Sequence, residues 1–566
     1  MLRFSTNRID LPARRAAYAT TWRDRLALGI GIGVQLLLTS LPYLYGSLSS
    51  PADRRFMGIV IDVPDTAQYF AWLRAHQQAL IVSNMLTPEP NQPAFFNLLW
   101  LILGRLASWT GLELSTSFQL LRLAAGIAFG YTLFWLYGLL AEDRRERWLA
   151  TVLVLLGGGL GWIWVVEKYL AGRTELLYPL DVQVAEPNAF LCLLGFPHFL
   201  LAAALVLAIM GRFILGGRTR GRASYGLAAL LAILLGLQHA YDLITVYAVL
   251  GALVLLRWWS QQRFPRDQLA GLALIVLCSS PPAAYFAYLT SHDPIWRQVL
   301  AQFANAGVYT PDPLHLLIVL GPQLPLALAM MPELLRRQRD IDLLLLAWTI
   351  VGFGLLYIPT DFQIHMLNPY QVPLAILAVR TARRIAASRG GLGMQRVLPA
   401  ALLLIALPVN LYLLSWRFVD LGRHRAPYYL HRDEVAALQW LAQQTGDTVV
   451  LSSETLGQYV PALTGKRAVL AHWAQTVDYY TKRAEVARFF DPASPPNERD
   501  ALLQRYRVAY ILAGEAELQL GMEAVLDATR LEPVFKANAA AVYRVGWAAT
   551  TEQRDPHLLH PALAGP

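Results

Sequence analysis

The sequence predicts a mainly α-helical, polytopic membrane bundle of about eleven spans that ends in a small α/β domain. Three observations predict it. The chain is 55% hydrophobic and only 15% charged, too apolar for a soluble globular protein. It carries repeated apolar runs near the roughly 20 residues that cross a hydrocarbon core. After residue 416 those runs shorten to strand length and alternate with helical patterns.

The first run, 26–46, follows a basic stretch with Arg3, Arg8, Arg14, Arg15, Arg23 and Arg25. It is too long for a signal-peptide core and lacks a cleavage site, so it reads as a retained first helix. The later candidates are 119–141, 148–166, 193–215, 223–240, 241–258, 268–290, 313–333, 341–358, 370–388 and 397–416. The segment 93–110 is borderline.

Charge decides the count. With the N-terminal segment 1–25 in the cytoplasm and 93–110 left out, the inner loops are 142–147, 212–222, 257–267, 334–340 and 380–396. All are rich in Arg, as the positive-inside rule requires. Counting 93–110 as a crossing would put Arg144, Arg145 and Arg147 outside, so it reads as a juxtamembrane or re-entrant helix. The expected layout is a membrane domain over 26–416 with a long first outer loop over 47–118. A soluble extracytoplasmic domain follows over 417–566. The net charge of +9 then reads as orientation in a cell membrane, not as nucleic-acid binding. Two cysteines, Cys192 and Cys278, do not suggest a disulfide framework. Gly157-Gly158-Gly159-Leu160-Gly161 falls inside a span and reads as close helix packing rather than phosphate binding.

This layout gathers ionisable residues on the outer face, among them Asp62, Asp65, Asp181, Glu186, His198, His239, Asp242, Asp361 and His365. Such groups at membrane depth are costly and normally face a cavity or a partner. Asp62 and Asp65, three residues apart, are the candidate catalytic pair, suited to general-base work. Asp65 also reads as the N-cap of a helix starting at Thr66, which would leave Asp62 unexplained by capping. That helix carries Tyr69, Phe70, Trp72 and Leu73 among polar residues, which suits either a helix in the interface plane or a lid packed on the protein. Tyr69, Glu186, His198, His239, Asp242, Asp361 and His365 are candidate substrate-binding residues. Arg54 and Arg55 are candidates to pair with a lipid phosphate through their planar donor forks.

In the C-terminal region the pattern reads helix 433–444, strand 448–452, helix 454–463, strand 467–470, helices 476–490 and 497–505, strand 508–513, and two strands near 531–545. His472 and Trp473, at a strand end, are placed to touch a ligand.

The acidic pair, the amphipathic helix 66–78 and the run Gln92-Pro93-Ala94-Phe95-Phe96-Asn97-Leu98-Leu99 resemble the GT-C superfamily of integral-membrane glycosyltransferases, which includes protein mannosyltransferases and the lipid A aminoarabinose transferase. Gln92 and Ala94 depart from the His/Lys-Pro-Pro-Leu-Tyr-Tyr-like run of many relatives. The resemblance implies a polyprenyl-phosphate-linked sugar donor, membrane lipids as surroundings and an acceptor on the outer face. It implies that Asp62 or Asp65 is the base. In a metal-dependent relative the same residues would instead bind a divalent metal ion. Two other classes compete. A transporter or flippase would favour mid-membrane charges and broken helices. A non-catalytic scaffold would use the C-terminal domain to hold a partner.

Overall fold

The structure, a computed structural model, describes residues 20–173, 179–219, 221–306, 309–389, 392–522, 525 and 531–546. Most of the expected 1–25 segment, including Arg3, Arg8, Arg14 and Arg15, lies outside the described residues.

Helix α1 (Trp22–Leu48) opens on a capping box between Thr21 and Asp24. The long loop after it holds β1 (Arg54–Phe56), α2 (Val63–Ala75) and α3 (Leu98–Thr110). The 13 residues of α3 span about 20 Å, too short to cross. Then come α4 (Leu114–Leu140), α5 (Arg144–Leu156), α6 (Gly161–Ala171), α7 (Ala189–Gly195), α8 (Pro197–Thr219), α9 (Arg222–Gly236), α10 (Asp242–Gln261), α11 (Arg266–His292) and α12 (Pro294–Ala301). The bundle closes with α13 (Pro313–Val319), α14 (Gln323–Arg337), α15 (Asp340–Leu355), α16 (Gln371–Arg389), α17 (Leu392–Ala406) and α18 (Pro408–Gly422).

Each of the eleven expected segments is mainly helical, some of them with breaks. Helices α1, α4, α8, α10 and α11 and the stretch Val397–Gly422 are long and apolar enough to cross a membrane. Two bent pairs, α5 with α6 at 40° and α13 with α14 at 109°, have the apolar length of a broken span or a re-entrant loop. Of the other expected spans, α9 and α15 are shorter, and α16 is less apolar because it carries four arginines. The chain is a multi-pass membrane protein.

The expected unbroken span 148–166 is corrected: it breaks at 157–160. There Gly158 N donates to Ala406 O and Leu160 N to Ile318 O. A Cβ on Gly159 would stand 2.4 Å from the Ile318 and Val319 carbonyl oxygens, so the glycine admits a neighbouring backbone that any side chain would exclude. Asp181 lies under this break and accepts from Gly161 N at 2.8 Å. Burial pushes its carboxyl up to about 7.

Three loops expected on the inner side meet at one end of the bundle. Arg337 and Arg339 pair with Glu142, Arg380 with Glu146, and Arg383 with Asp143. At the other end, β1 pairs antiparallel with β2 (Tyr429–His431), Arg54 opposite His431 and Phe56 opposite Tyr429. The first long loop and the start of the C-terminal region are therefore on one side. The chain crosses an even number of times between them, and ten of the eleven expected segments lie in that stretch.

The C-terminal region follows with α19 (Arg432–Gln443), β3 (Val449–Leu451), α20 (Glu454–Gly457), α21 (Tyr459–Thr464), β4 (Arg467–Ala468), α22 (Tyr479–Phe490), α23 (Pro496–Arg505), β5 (Val508–Ala513), α24 (Glu515–Leu520), β6 (Leu531–Lys536) and β7 (Ala541–Val545). Its strands form one sheet in the order β4-β3-β5-β7-β6. The β4-β3 and β3-β5 pairs are parallel, and the last two pairs are antiparallel. This α/β unit packs on the first long loop. Asn84 Nδ2 donates to Gln475 O at 2.9 Å, Arg467 reaches the Glu89 carbonyl at 2.9 Å, and Lys482 Nζ lies 2.5 Å from Glu89 Oε1.

Candidate functional site

A cavity of about 730 Å³ opens where α2, the loop before α3, the starts of α8 and α10, the end of α11, α12, and the 361–365 and 472–475 loops converge. One wall is aromatic and aliphatic, with Trp72, Phe95, Trp100, Phe286, Trp296 and Phe303. Phe95 stacks on Trp296 at 4.8 Å and leans on Trp72 at 4.7 Å. Asn97, from the 92–99 run, caps α3 through Oδ1 and donates from Nδ2 to Gln238 O at 2.9 Å. That bond fixes the run against the hairpin before α10.

The acidic pair stands at the polar end of the cavity, and the structure corrects its capping. Helix α2 begins at Val63, not Thr66, and its N-cap is Asp62, whose Oδ1 accepts from Asp65 N at 3.3 Å. Pro64 explains the earlier start: it occupies the first turn, where its missing N–H costs nothing. Asp62 adopts φ 45° and ψ 72°, a left-handed conformation that Asp tolerates better than most residues. Among the described residues Asp62 Oδ2 accepts no hydrogen bond, and Asp62 lines the cavity. Burial first, and then the adjacent Asp65 charge, push the Asp62 carboxyl well above the usual carboxylate range. Asp65, in the first turn of α2, is free of capping and bonds elsewhere. His472 Nε2 lies 2.9 Å from its Oδ1, and the Tyr69 hydroxyl reaches its Oδ2 at 3.5 Å.

Helix α2 is packed on the protein, not laid in the interface plane. Ala67, Phe70 and Leu73 are buried, and α2 rests against α3, α4 and α21. Its apolar residues have protein, not lipid, to cover them.

A histidine cluster follows directly from the acidic pair. The His198 ring meets Tyr69 edge-on at 4.7 Å and His239 at 5.6 Å. His239 donates from Nδ1 to Asp242 Oδ2 at 2.7 Å and accepts at Nε2 from the Tyr241 hydroxyl at 2.8 Å. The Tyr241 ring stacks on His365 at 5.1 Å, and His365 donates from Nδ1 to Glu186. Burial works against charge on His365, but the Glu186 carboxylate outweighs it and raises the imidazole above its ordinary value. His198 Nδ1 is buried without a partner.

Of the residues singled out by sequence, the cavity gathers Asp62, Asp65, Tyr69, Glu186, His198, His239, Asp361 and His365. Asp242 is fully buried behind His239 and acts on the cavity through that ring. Arg54 and Arg55 are outside it. Their forks are taken by Glu515 and Glu113, each at 2.9 Å, because β1 turns them toward the C-terminal unit and the end of the loop. Among the described residues no Lys or Arg lines the cavity. Trp296 and Phe303, which come from a short helix and a turn after α11, join the cavity without a local sequence signal. The sequence signal for His472 was only a His-Trp pair at a strand end.

Among the described residues no three His, Cys, Asp or Glu side chains converge as a metal ligand set. Asp62 Oδ1 and both Asp65 oxygens each accept one hydrogen bond and keep a second lone pair. Among the described residues no third His, Cys, Asp or Glu stands with the pair to complete a ligand set for a divalent ion.

No protein-family model and no curated protein matches the chain. Solved structures do. The chain is similar to the apo-form oligosaccharyltransferase of Archaeoglobus fulgidus at 11% identity, with a TM-score of 0.53 over 93% of this chain and 75% of that one. The same enzyme in complex with Zn and sulfate matches at 12% identity, with a TM-score of 0.51 over 91% and 72%. ArnT from Cupriavidus metallidurans, in the apo state, matches at 11% identity, with a TM-score of 0.46 over 91% and 98%. The protein shares the fold of the Archaeoglobus fulgidus oligosaccharyltransferase. The chain joins a many-helix membrane bundle to a C-terminal α/β unit.

Proposed function

We propose that the protein is an inverting membrane glycosyltransferase that moves a sugar from a polyprenyl-phosphate donor to an acceptor on the outer face of the membrane. The observation that carries this reading is the cavity itself. An unengaged carboxylate oxygen, a histidine cluster and a long aromatic wall share one space, inside a fold of this class.

Asp62 Oδ2 takes the proton from the acceptor's nucleophilic atom, which forms a bond to the anomeric carbon. The bond from that carbon to the phosphate oxygen breaks, and the phosphate leaves with the electron pair. A carboxyl raised above the usual carboxylate range is a stronger base than an ordinary aspartate. With no Lys or Arg among the described lining residues, the phosphate is met by imidazole N–H groups. His365, whose imidazole the Glu186 carboxylate raises, is the one most readily charged. The aromatic wall holds the first prenyl units by apolar contact. Asp361 and Tyr69 border the sugar. No step uses a metal ion.

The test is transfer by Asp62→Asn and Asp65→Asn in membranes that contain polyprenyl-phosphate sugars. Loss of transfer with normal insertion supports the reading; wild-type rates in both variants end it. One observation favours a transporter instead: the two bent helix pairs meet where Leu160 N donates to Ile318 O. Uptake of labelled sugar into proteoliposomes, without transfer, would establish that alternative.

A further inference from the structure

We infer that His472, in the C-terminal α/β unit, is a positioning residue for the acidic pair: as a neutral, Nε2-protonated imidazole it fixes the Asp65 carboxylate beside Asp62. This rests on the glycosyl-transfer reading and adds to it a group from the far end of the chain.

The hydrogen bonds determine the tautomer. His472 Nδ1 accepts from two backbone donors, Ala474 N at 3.0 Å and Gln475 N at 3.2 Å. A nitrogen that accepts two N–H bonds carries no proton. The ring proton is then on Nε2, which faces Asp65 Oδ1 at 2.9 Å and donates to it. The ring is a fixed donor, unlike His365, which is paired for charge.

The loop that carries His472 is held from three directions. Thr476 Oγ1 accepts from Ala471 N and His472 N, each at 3.0 Å, and donates to Leu86 O in the first long loop at 2.6 Å. Gln302 Nε2, from the turn after α12, donates to Ala474 O at 2.8 Å and Thr476 O at 2.9 Å. Asn305 Nδ2 donates to Trp473 O at 3.0 Å. A ring anchored this well transmits position, not merely contact. With Tyr69 on its other oxygen, Asp65 is held by both oxygens, and its charge stays next to Asp62.

Two variants separate the local role of His472 from its reach to Asp65. In His472→Asn the side-chain oxygen still accepts the Ala474 and Gln475 N–H groups, as Asn does in turns, but nothing reaches Asp65. In His472→Gln the longer amide restores an N–H toward Asp65. The assay is release of polyprenyl phosphate from polyprenyl-phosphate-linked hexose and pentose by the purified full chain. His472→Asn is expected to lower kcat about 10- to 100-fold, the scale of a misplaced catalytic group, with donor KM within about twofold. His472→Gln is expected to recover part of kcat. Asp65→Asn combined with His472→Asn is expected to be no slower than Asp65→Asn alone. A wild-type kcat in His472→Asn, or multiplicative losses in the double variant, would overturn the inference and leave the glycosyl-transfer reading intact. Wild-type rates in both Asp62→Asn and Asp65→Asn would overturn that reading itself.

Discussion

Asp62→Asn should separate stability from chemistry. In Asp62→Ala the N-cap bond to Asp65 N is lost, which costs about 1 kcal/mol. Alanine must also hold φ 45° and ψ 72°, a left-handed conformation that costs roughly another 1 kcal/mol. Asn caps as well as Asp and tolerates that conformation, so neither cost applies. Asn also removes a carboxylate that burial and Asp65 make hard to ionise. Because the folded value of Asp62 is raised, its favourable contribution is present only below the ordinary carboxylate range. That contribution is lost as pH rises from the ordinary carboxylate range through the folded value, so above that range the carboxyl weakens the fold. At pH 7, Asp62→Asn should melt at or above wild type in detergent, while Asp62→Ala should lose about 2 kcal/mol. The advantage of Asn over wild type should vanish in acid. Both variants should lose transfer by roughly 10²- to 10⁴-fold, the contribution of a general base. The reasoning fails if Asp62→Asn melts as low as Asp62→Ala, or if it transfers sugar at the wild-type rate.

Other outcomes follow from neighbouring contacts. The Glu186–His365 pair raises the imidazole, so its stabilisation is full below the ordinary histidine value of 6.5 and is lost as pH rises through the folded one. The melting difference between wild type and His365→Gln should therefore shrink as pH increases through that range. Lys482→Met leaves Glu89 without its buried partner and frees the Val477 carbonyl. It should cost about 3 kcal/mol and speed proteolytic release of the C-terminal unit. Gly104→Ala places a Cβ 2.5 Å from the Leu73 carbonyl oxygen, which should push α3 off α2 and cost about 1–3 kcal/mol in unfolding assays. Chelation with EDTA should leave the transfer rate within about twofold, because the acidic pair lacks a ligand set.

Much of this architecture is written in local pattern. Hydropathy located the helices, and charge in short loops led to leaving 93–110 out as a crossing, in keeping with the 13 residues of α3. Strand and helix periods in the last third marked the sheet order's components, though not the order. What stayed hidden depends on geometry that spacing cannot carry. Pro64 moves the start of α2 by three residues and exchanges the capping roles of Asp62 and Asp65. The break at 157–160 depends on a neighbour's carbonyls reaching the backbone. Arg54 and Arg55 look available for a phosphate until Glu515 and Glu113 are folded against them. Asp65 and His472 are 407 positions apart, beyond any local signal.

The β1-β2 ribbon also has a consequence for biogenesis. The carboxylates are made early, but their partner strand and His472 are among the last parts to leave the ribosome. At about 5–20 residues per second, the roughly 370 residues from Asp62 to β2 take on the order of 20 to 75 seconds to synthesise. Throughout that interval the first loop has its strand edge unpaired, and the cavity lacks its 472–475 wall. A nascent or truncated chain therefore lacks the Asp65–His472 contact until its last third has been made.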